Sequence, residues 1–302
     1  MNESHTVTFD VVGLGESSID YVYVVTTVPS HEESKVPISS HFSACGGQVA
    51  TTMAACAALG LKAAYLGPVG NDPNGARVKA ELESRGVDVS RLIVRAAITR
   101  YAVILVEEST GERKVLWQRD ERLRLADDDV TDALIAGARV LHVDAVDEDA
   151  SIRAATLGRQ RGLMVTSDID AVTTRTPELL SAVTVAIVAE HVPSQLTGEP
   201  DIERALRAMR TRHDGLLCVT LGERGAAALD GDRFHLVPAL NVEAVDTTGA
   251  GDVFRAGVIH GLLQGWETSQ VLRFANTAAG ISCTRAGAIA SVPSLNDVNE
   301  NL

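Results

Sequence analysis

An α/β fold of three layers, a mainly parallel sheet between helices with a small β-sheet beside it, is what this sequence predicts, and three observations carry the prediction. Strand-like and helix-like segments alternate through most of the 302 residues, as they do where crossover units join parallel strands. Hydrophobic residues make up 45 % and aromatic residues 4 %, an Ala-, Val-, Leu- and Gly-rich balance that suits a layered α/β core better than a β-sandwich. Two stretches rich in Val, Thr, Ile and Tyr break the alternation and read as a small antiparallel sheet set into the α/β body.

Taken in order, residues 9–14 form an apolar β-branched run that closes on Gly13-Leu14-Gly15. Residues 21–28 are the first inserted β piece. Residues 48–59 are Ala-rich and helical, stopped by Gly60. A strand at 62–68 and a helix at 74–85 follow, the latter closed by Gly86. The second inserted piece, 97–107, is followed by Ser109-Thr110-Gly111-Glu112 and a further strand at 114–117, which together read as a hairpin. Asp127-Asp128-Asp129 reads as a solvated helix start. Strands at 139–143, 163–167, 183–188 and 216–220 then alternate with helices at 148–161 and 202–212. No internal repeat or low-complexity linker divides the chain, so residues 1–302 read as one domain.

Composition removes several function classes. The formal net charge is −13, a poor match for a nucleic-acid backbone, which calls for a basic face. Cys45, Cys56, Cys218 and Cys283 include no Cys-x-x-Cys pair, so they read as reduced thiols of a cytoplasmic protein rather than zinc ligands. Met1 to Asp10 carries no basic patch followed by an apolar run, and no apolar segment is long enough to span a bilayer.

The chemistry concentrates in Val245-Asp246-Thr247-Thr248-Gly249-Ala250-Gly251-Asp252. An apolar, strand-like segment precedes it. A helix follows at 253–263, where Phe254, Val258 and Leu262 recur at helical spacing. Strand, Gly-rich turn and helix in that order make an anion site: the glycines admit a ligand close to the backbone, and the first-turn N–H groups and the helix dipole face it. Asp252 stands beside that anion. A carboxylate there repels phosphate unless it receives a proton from an attacking hydroxyl, and the pair fits phosphoryl transfer. A plain helix N-cap is the bland alternative for a lone Gly-x-Gly-Asp.

The string resembles the second signature of the ribokinase-like (pfkB) carbohydrate kinase family, and the resemblance runs over nearly the whole chain. Cys45-Gly46-Gly47-Gln48-Val49-Ala50-Thr51 is similar to the family's Gly-Gly helix opening. Gly13-Leu14-Gly15-Glu16-Ser17-Ser18-Ile19-Asp20 is similar to its early Gly-x-Gly…Asp element, and Val219-Thr220-Leu221-Gly222-Glu223-Arg224-Gly225 to its Val-Thr-Leu-Gly-x-x-Gly element. Phe274-Ala275-Asn276, Thr284-Arg285-Ala286-Gly287-Ala288 and Ser291-Val292-Pro293 match the C-terminal part. The resemblance implies an ATP-dependent sugar kinase with Asp252 as catalytic base and Gly249, Ala250 and Gly251 holding the transferring phosphoryl group. It implies that Asp20, Gly46 and Gly47 meet the sugar, joined by Thr51. Thr220, Gly222, Gly225 and Asn276 would lie along the ATP cleft. Asp246 and Thr248, closed by the loop at Ser291, would hold a potassium ion. Magnesium would accompany ATP. The inserted segments, about 20–45 and 96–120, would form a lid that excludes water and pairs two chains into a homodimer.

The residues support Asp20 independently: it opens an inserted strand just beyond a Gly-rich strand end, facing the crevice where α/β sheets bind ligands, and a carboxylate accepts from two hydroxyls at once. Arg119 ends the second hairpin, where it meets either a substrate anion or solvent. Arg255 is either a phosphate clamp or an outward-facing helix residue. Two departures from the family stand out. Thr51 occupies a position where Asn is usual. The Asn-x-x-Glu element that organises magnesium is replaced by Ala189-Glu190-His191-Val192, leaving Glu190, through water, as the metal-binding candidate. Gly13-Leu14-Gly15 is no dinucleotide fingerprint, because the strand-like Tyr21-Val22-Tyr23-Val24-Val25 follows where a helix is required. No Gly-x-x-x-x-Gly-Lys string exists. A nucleoside kinase with Tyr21 and Tyr23 over the base, or a sensor that kept the fold without turnover, are the alternatives to a sugar kinase.

Overall fold

The structure, a computed structural model, describes residues 8–29 and 35–302. The first seven residues and the 30–34 part of the expected lid lie outside that range. The chain begins β1 (Phe9–Leu14), β2 (Ser18–Val25), β3 (Ile38–Gly46), α1 (Gln48–Ala58), β4 (Ala63–Leu66), β5 (Pro68–Gly70) and α2 (Pro73–Ser84). It continues with β6 (Ile93–Arg95), β7 (Tyr101–Glu107), β8 (Arg113–Gln118), α3 (Asp132–Ile135), β9 (Ala138–Asp144), α4 (Glu148–Gln160), β10 (Met164–Asp168) and α5 (Thr176–Ala182). β11 (Val185–Ala189), α6 (His191–Thr197), α7 (Ile202–Met209), β12 (Leu216–Thr220), β13 (Ala226–Asp230) and β14 (Arg233–Val237) follow, and α8 (Ala250–Leu263), α9 (Thr268–Ser282) and α10 (Leu295–Asn299) close the chain.

The main sheet has eight strands in the order β14-β13-β12-β11-β10-β9-β1-β4. Its pairs from β4 to β12 are parallel, and only β12–β13 and β13–β14 are antiparallel. Strand alternation sends neighbours to opposite faces. Val12, Leu14, Leu141 and Val143 pack with α4, α5 and α7, while Val11, Ala63, Tyr65 and Val140 pack with α1, α8 and α9. The three-layer α/β/α prediction holds. Helix α1 is buried from Val49 through Cys56 because it lies between the sheet and α8, which explains a composition too uniformly apolar for a surface helix.

The inserted segments form a second sheet, ordered β3-β2-β7-β8. It is mixed, not antiparallel: β2 pairs with β7 in parallel, from Ile19↔Tyr101 to Val25↔Glu107. Both strands leave the body at the same end, so they run side by side in one direction, while β3 and β8 return antiparallel on the outside. The strand expected before the Gly-rich turn is absent. Residues 238–249 are irregular; Leu240 packs against Gly280 on α9, the N–H groups of Val245 and Asp246 both donate to the Cys283 carbonyl, and the Val245 side chain is 67 % exposed.

Candidate active site

A cleft of about 550 Å³ opens between the lid sheet and the C-terminal ends of the parallel strands, where open α/β sheets bind ligands. Asp20, Gly47, Arg119, Thr248, Gly249 and Asp252 all line it, so residues far apart in sequence converge as expected. The turn into α8 needs its glycine: Gly249 has φ 80, and a Cβ there would lie 2.9 Å from the Ala288 backbone. Ala250 and Gly251 are the first helical residues; the Ala250 N–H donates to the Thr247 carbonyl at 3.2 Å, and the Gly251 N–H, in the first turn, has no partner within the helix, as at the helix N-termini that accept anions. Gly47, with φ 95, enters α1 the same way; a Cβ would lie 2.4 Å from Ser17 Cα. Asp20 is on β2, accepts from Ser18 Oγ at 3.0 Å, and has its carboxylate against Gly46, where a Cβ would be 2.7 Å from Oδ2. Thr51 is buried against Gly249 and its hydroxyl has no hydrogen-bond partner among the described residues. Its neighbour Thr52 donates to the Asp252 carbonyl at 3.3 Å.

Behind Asp252 is a charge cluster that sequence reasoning missed. Arg255 is neither clamp nor surface residue: it is buried and ion-paired with the fully buried Asp168 at the end of β10. Its guanidinium lies under the turn, where a Cβ on Gly251 would be 2.6 Å from Nη1. Burial first, and then the neighbouring Asp168 carboxylate, hold the Asp252 carboxyl well above the ordinary range, against the pull of Arg255. Burial likewise pushes Asp168 up to about 6 in spite of Arg255. His142, bonded to Thr166 at 2.9 Å, is pushed down to about 3 by burial and by Arg255, and so stays neutral.

Glu16 is the second residue missed. It lines the cleft beside Arg100, whose Nε lies 2.8 Å from its carboxylate, and burial pushes its carboxyl up to about 7 despite the arginines. Its N–H donates to the buried Asp144 at 2.7 Å. A Gly-Glu pair at a strand end was the only sequence signal. Arg119 is not solvated; it makes a two-pronged bond to Asp147, at 3.0 and 2.5 Å. Trp117, 65 % exposed, projects from β8 into the same cleft. Tyr21 and Tyr23 do not cover it: the Tyr21 hydroxyl donates to Asn74 and Tyr23 stacks on His41.

Other expected positions lie elsewhere or are already occupied. Thr220 ends β12, with Gly222 and Gly225 in the hairpin turn to β13. A Cβ on Gly225 would sit 2.1 Å from the Val237 carbonyl, so packing alone demands that glycine. The Asn276 amide is spent on the carbonyls of Val237 and Pro238, at 3.0 Å each. Glu190 does not line the cleft; its carboxylate is 2.5 Å from Arg224. The potassium set is incomplete. Asp246 and Thr248 meet, but the buried Ser291 hydroxyl donates to the Ala288 carbonyl at 3.0 Å instead, and Arg113 stands where the ion was expected, bonded to Thr248 Oγ1 at 2.5 Å and Asp246 Oδ1 at 2.6 Å.

Residues 8–295 match the model of the pfkB family carbohydrate kinases. The chain is 28 % identical to fructokinase-1 of Oryza sativa subsp. japonica, over 94 % of each chain. It is 29 % identical to the ribokinase of Bacillus subtilis (strain 168), over 96 % of this chain and 98 % of the relative. The ribokinase of Cryptococcus neoformans var. grubii serotype A, solved in complex with ADP, superposes with a TM-score of 0.81 at 25 % identity, over 97 % of this chain and 99 % of that one.

Proposed function

The chain belongs to the pfkB family of carbohydrate kinases, which makes it an ATP-dependent phosphotransferase acting on a sugar hydroxyl, and from that premise we propose that its acceptor is an uncharged sugar phosphorylated by way of Asp252. The observation that carries this reading is that the Gly249–Asp252 turn and the Asp20 carboxylate face one cleft. Asp20 accepts hydrogen bonds from sugar hydroxyls, aided by the backbone at Gly46 and Gly47. Asp252 takes the proton of the attacking hydroxyl, and the N–H groups of the turn hold the phosphoryl group as charge develops on it. ATP lies toward Thr220 and the β12–β13 hairpin and enters as its magnesium complex, a substrate. Glu190, engaged by Arg224, is given no part in holding that ion. The relatives named fructokinase and ribokinase suggest a ketohexose or pentose.

The absence of anion specificity follows from charge. Of the arginines lining the cleft, Arg100 is matched by Glu16 and Arg119 by Asp147. Prying either away would leave a buried carboxyl group unpaired. A sugar phosphate or sugar acid would thus meet Asp20, Asp170 and Asp252 with no free cation to offset them. A coupled assay of ATP turnover over D-fructose, D-ribose, fructose 6-phosphate and gluconate tests the proposal. The neutral sugars should be turned over; a preference for either anion would overturn it.

The same reading treats the chain as one working unit whose lid closes over the sugar and excludes water. Two lids are taken to meet in a homodimer, for which exposed Leu116 on the outer face of the lid offers apolar area; light scattering at the mass of a single chain would count against that. Four free cysteines fit a cytoplasmic setting. Among the described residues no helix is long and apolar enough to cross a membrane.

A further inference from the structure

The oxygens expected to hold an ion beside the anion-binding turn already have partners. Asp246 Oδ1 accepts from Thr248 N at 2.9 Å, from Thr248 Oγ1 at 2.7 Å and from Arg113 Nη2 at 2.6 Å, and Oδ2 accepts from Gly287 N at 2.9 Å. Burial works to raise this carboxyl, yet the bonds from Gly287, Thr248 and Arg113 together carry it below the ordinary carboxylate value. Beside it lies a cavity of about 160 Å³ whose lid wall, Val22, Val24, Phe42 and Val106, is apolar; of the polar side chains that also line it, Asp246 and Thr248 are already engaged by Arg113. A cation placed there would also face the guanidinium at close range, where like charges repel.

We propose that Arg113, carried by the lid strand β8, replaces the monovalent cation: its guanidinium bridges Asp246 and Thr248 and steadies the turn that aims the Gly249–Gly251 N–H groups. The planar fork suits the task, since one N–H reaches the Asp246 carboxylate while another reaches the Thr248 hydroxyl. Gly287 ties the neighbouring loop to the other carboxylate oxygen, so one Asp gathers lid, turn and loop. An ion bound from solution is present whether the lid is open or closed. A cation delivered by the lid is present only on closure, so assembly of the phosphoryl site becomes tied to enclosure of the sugar. Arg113 is thus a positioning residue that acts through Asp246 and Thr248.

The inference rests on the turn being the phosphoryl site, and the test separates the two. Turnover of the wild-type protein should be the same in potassium, sodium or tetramethylammonium chloride at equal ionic strength. Arg113→Met should lose about tenfold in kcat in tetramethylammonium, the worth of one charge-assisted hydrogen bond, and recover on addition of potassium or guanidinium ions. Melting temperature gives a readout without catalysis: potassium over tetramethylammonium should raise it for Arg113→Met and leave the wild type unchanged. A wild-type protein that needs potassium for turnover or gains melting temperature from it would overturn the proposal. So would an Arg113→Met protein indifferent to potassium and guanidinium in both measurements. Absence of turnover with every sugar would instead defeat the assignment of the turn, with the melting comparison still deciding the role of Arg113.

Discussion

Two demands conflict at Asp252. As the general base proposed above it must be anionic, yet it stands beside the proposed phosphate site and against the Asp168 carboxylate, and burial with that neighbour holds its proton on. Arg255 offsets part of this by pairing with Asp168. The groups facing the pair are Asp170 beyond β10, Arg255 on α8, and His142 and Asp144 on β9. As the proposed base, Asp252 would work only when deprotonated, and its pKa is raised, so kcat/KM should rise with pH along an acid limb above the ordinary carboxylate range. Asp168→Asn removes the like charge and frees Arg255 to act on Asp252, so both effects should move that limb to lower pH; a limb that stays put would show that Asp168 serves stability alone. Asp252→Asn should keep the fold and ATP binding while turnover falls by roughly 10²–10⁴, the usual worth of a positioned base, as read by steady-state assay beside a thermal melt. Asp252 was legible because an unusual string marks it. Arg255 was visible only as an arginine one turn into a helix, and nothing local says that it reaches across to another strand.

At the scale of elements, the turn into α8 and the end of β11 invite opposite expectations. Gly249→Ala puts an L side chain at φ 80 with its Cβ 2.9 Å from Ala288. The left-handed conformation should cost about 1–3 kcal/mol, and the turn should escape the strain by opening, which spoils the aim of the N–H groups. Thermal unfolding should register the loss of stability, and kcat should fall by more than KM for the sugar rises. Glu190→Gln breaks only a surface pair with Arg224, both side chains about half exposed, and such pairs are worth little. The magnesium concentration for half-maximal rate should therefore not move; a raised requirement would return Glu190 to the metal. The alternation of strands and helices was readable because buried parallel strands are continuous apolar runs. The segment before Val245 misled for the same reason: its apolar residues look like a strand, but Leu240 is spent packing on α9 and the backbone turns to Cys283.

Over the whole molecule, the site exists only where lid and body meet. Asp20 and Trp117 come from one sheet and Asp252 from the end of a helix on the other, while Arg113 crosses the gap to Asp246. None of these cross-contacts has a local signature, and the parallel pairing of β2 with β7 depends on where two inserted segments leave the body; sequence could announce a lid but not how it is wired. This division of the cleft offers a direct optical test, because the chain has two tryptophans. Trp266 is packed against His260 and Phe274 within the body. Trp117 stands exposed at the cleft, where an aromatic face can cover the apolar side of a sugar ring. Closing the lid over a sugar would take Trp117 out of water, so a neutral sugar substrate alone should shift the emission to shorter wavelength, and ATP alone should not, if the nucleotide binds toward the β12–β13 hairpin as proposed. Trp117→Phe should abolish the shift and raise KM for the sugar with little change in KM for ATP. If the shift survives in that variant, the signal belongs to Trp266, and sugar binding reaches the helical layer rather than ending at the lid.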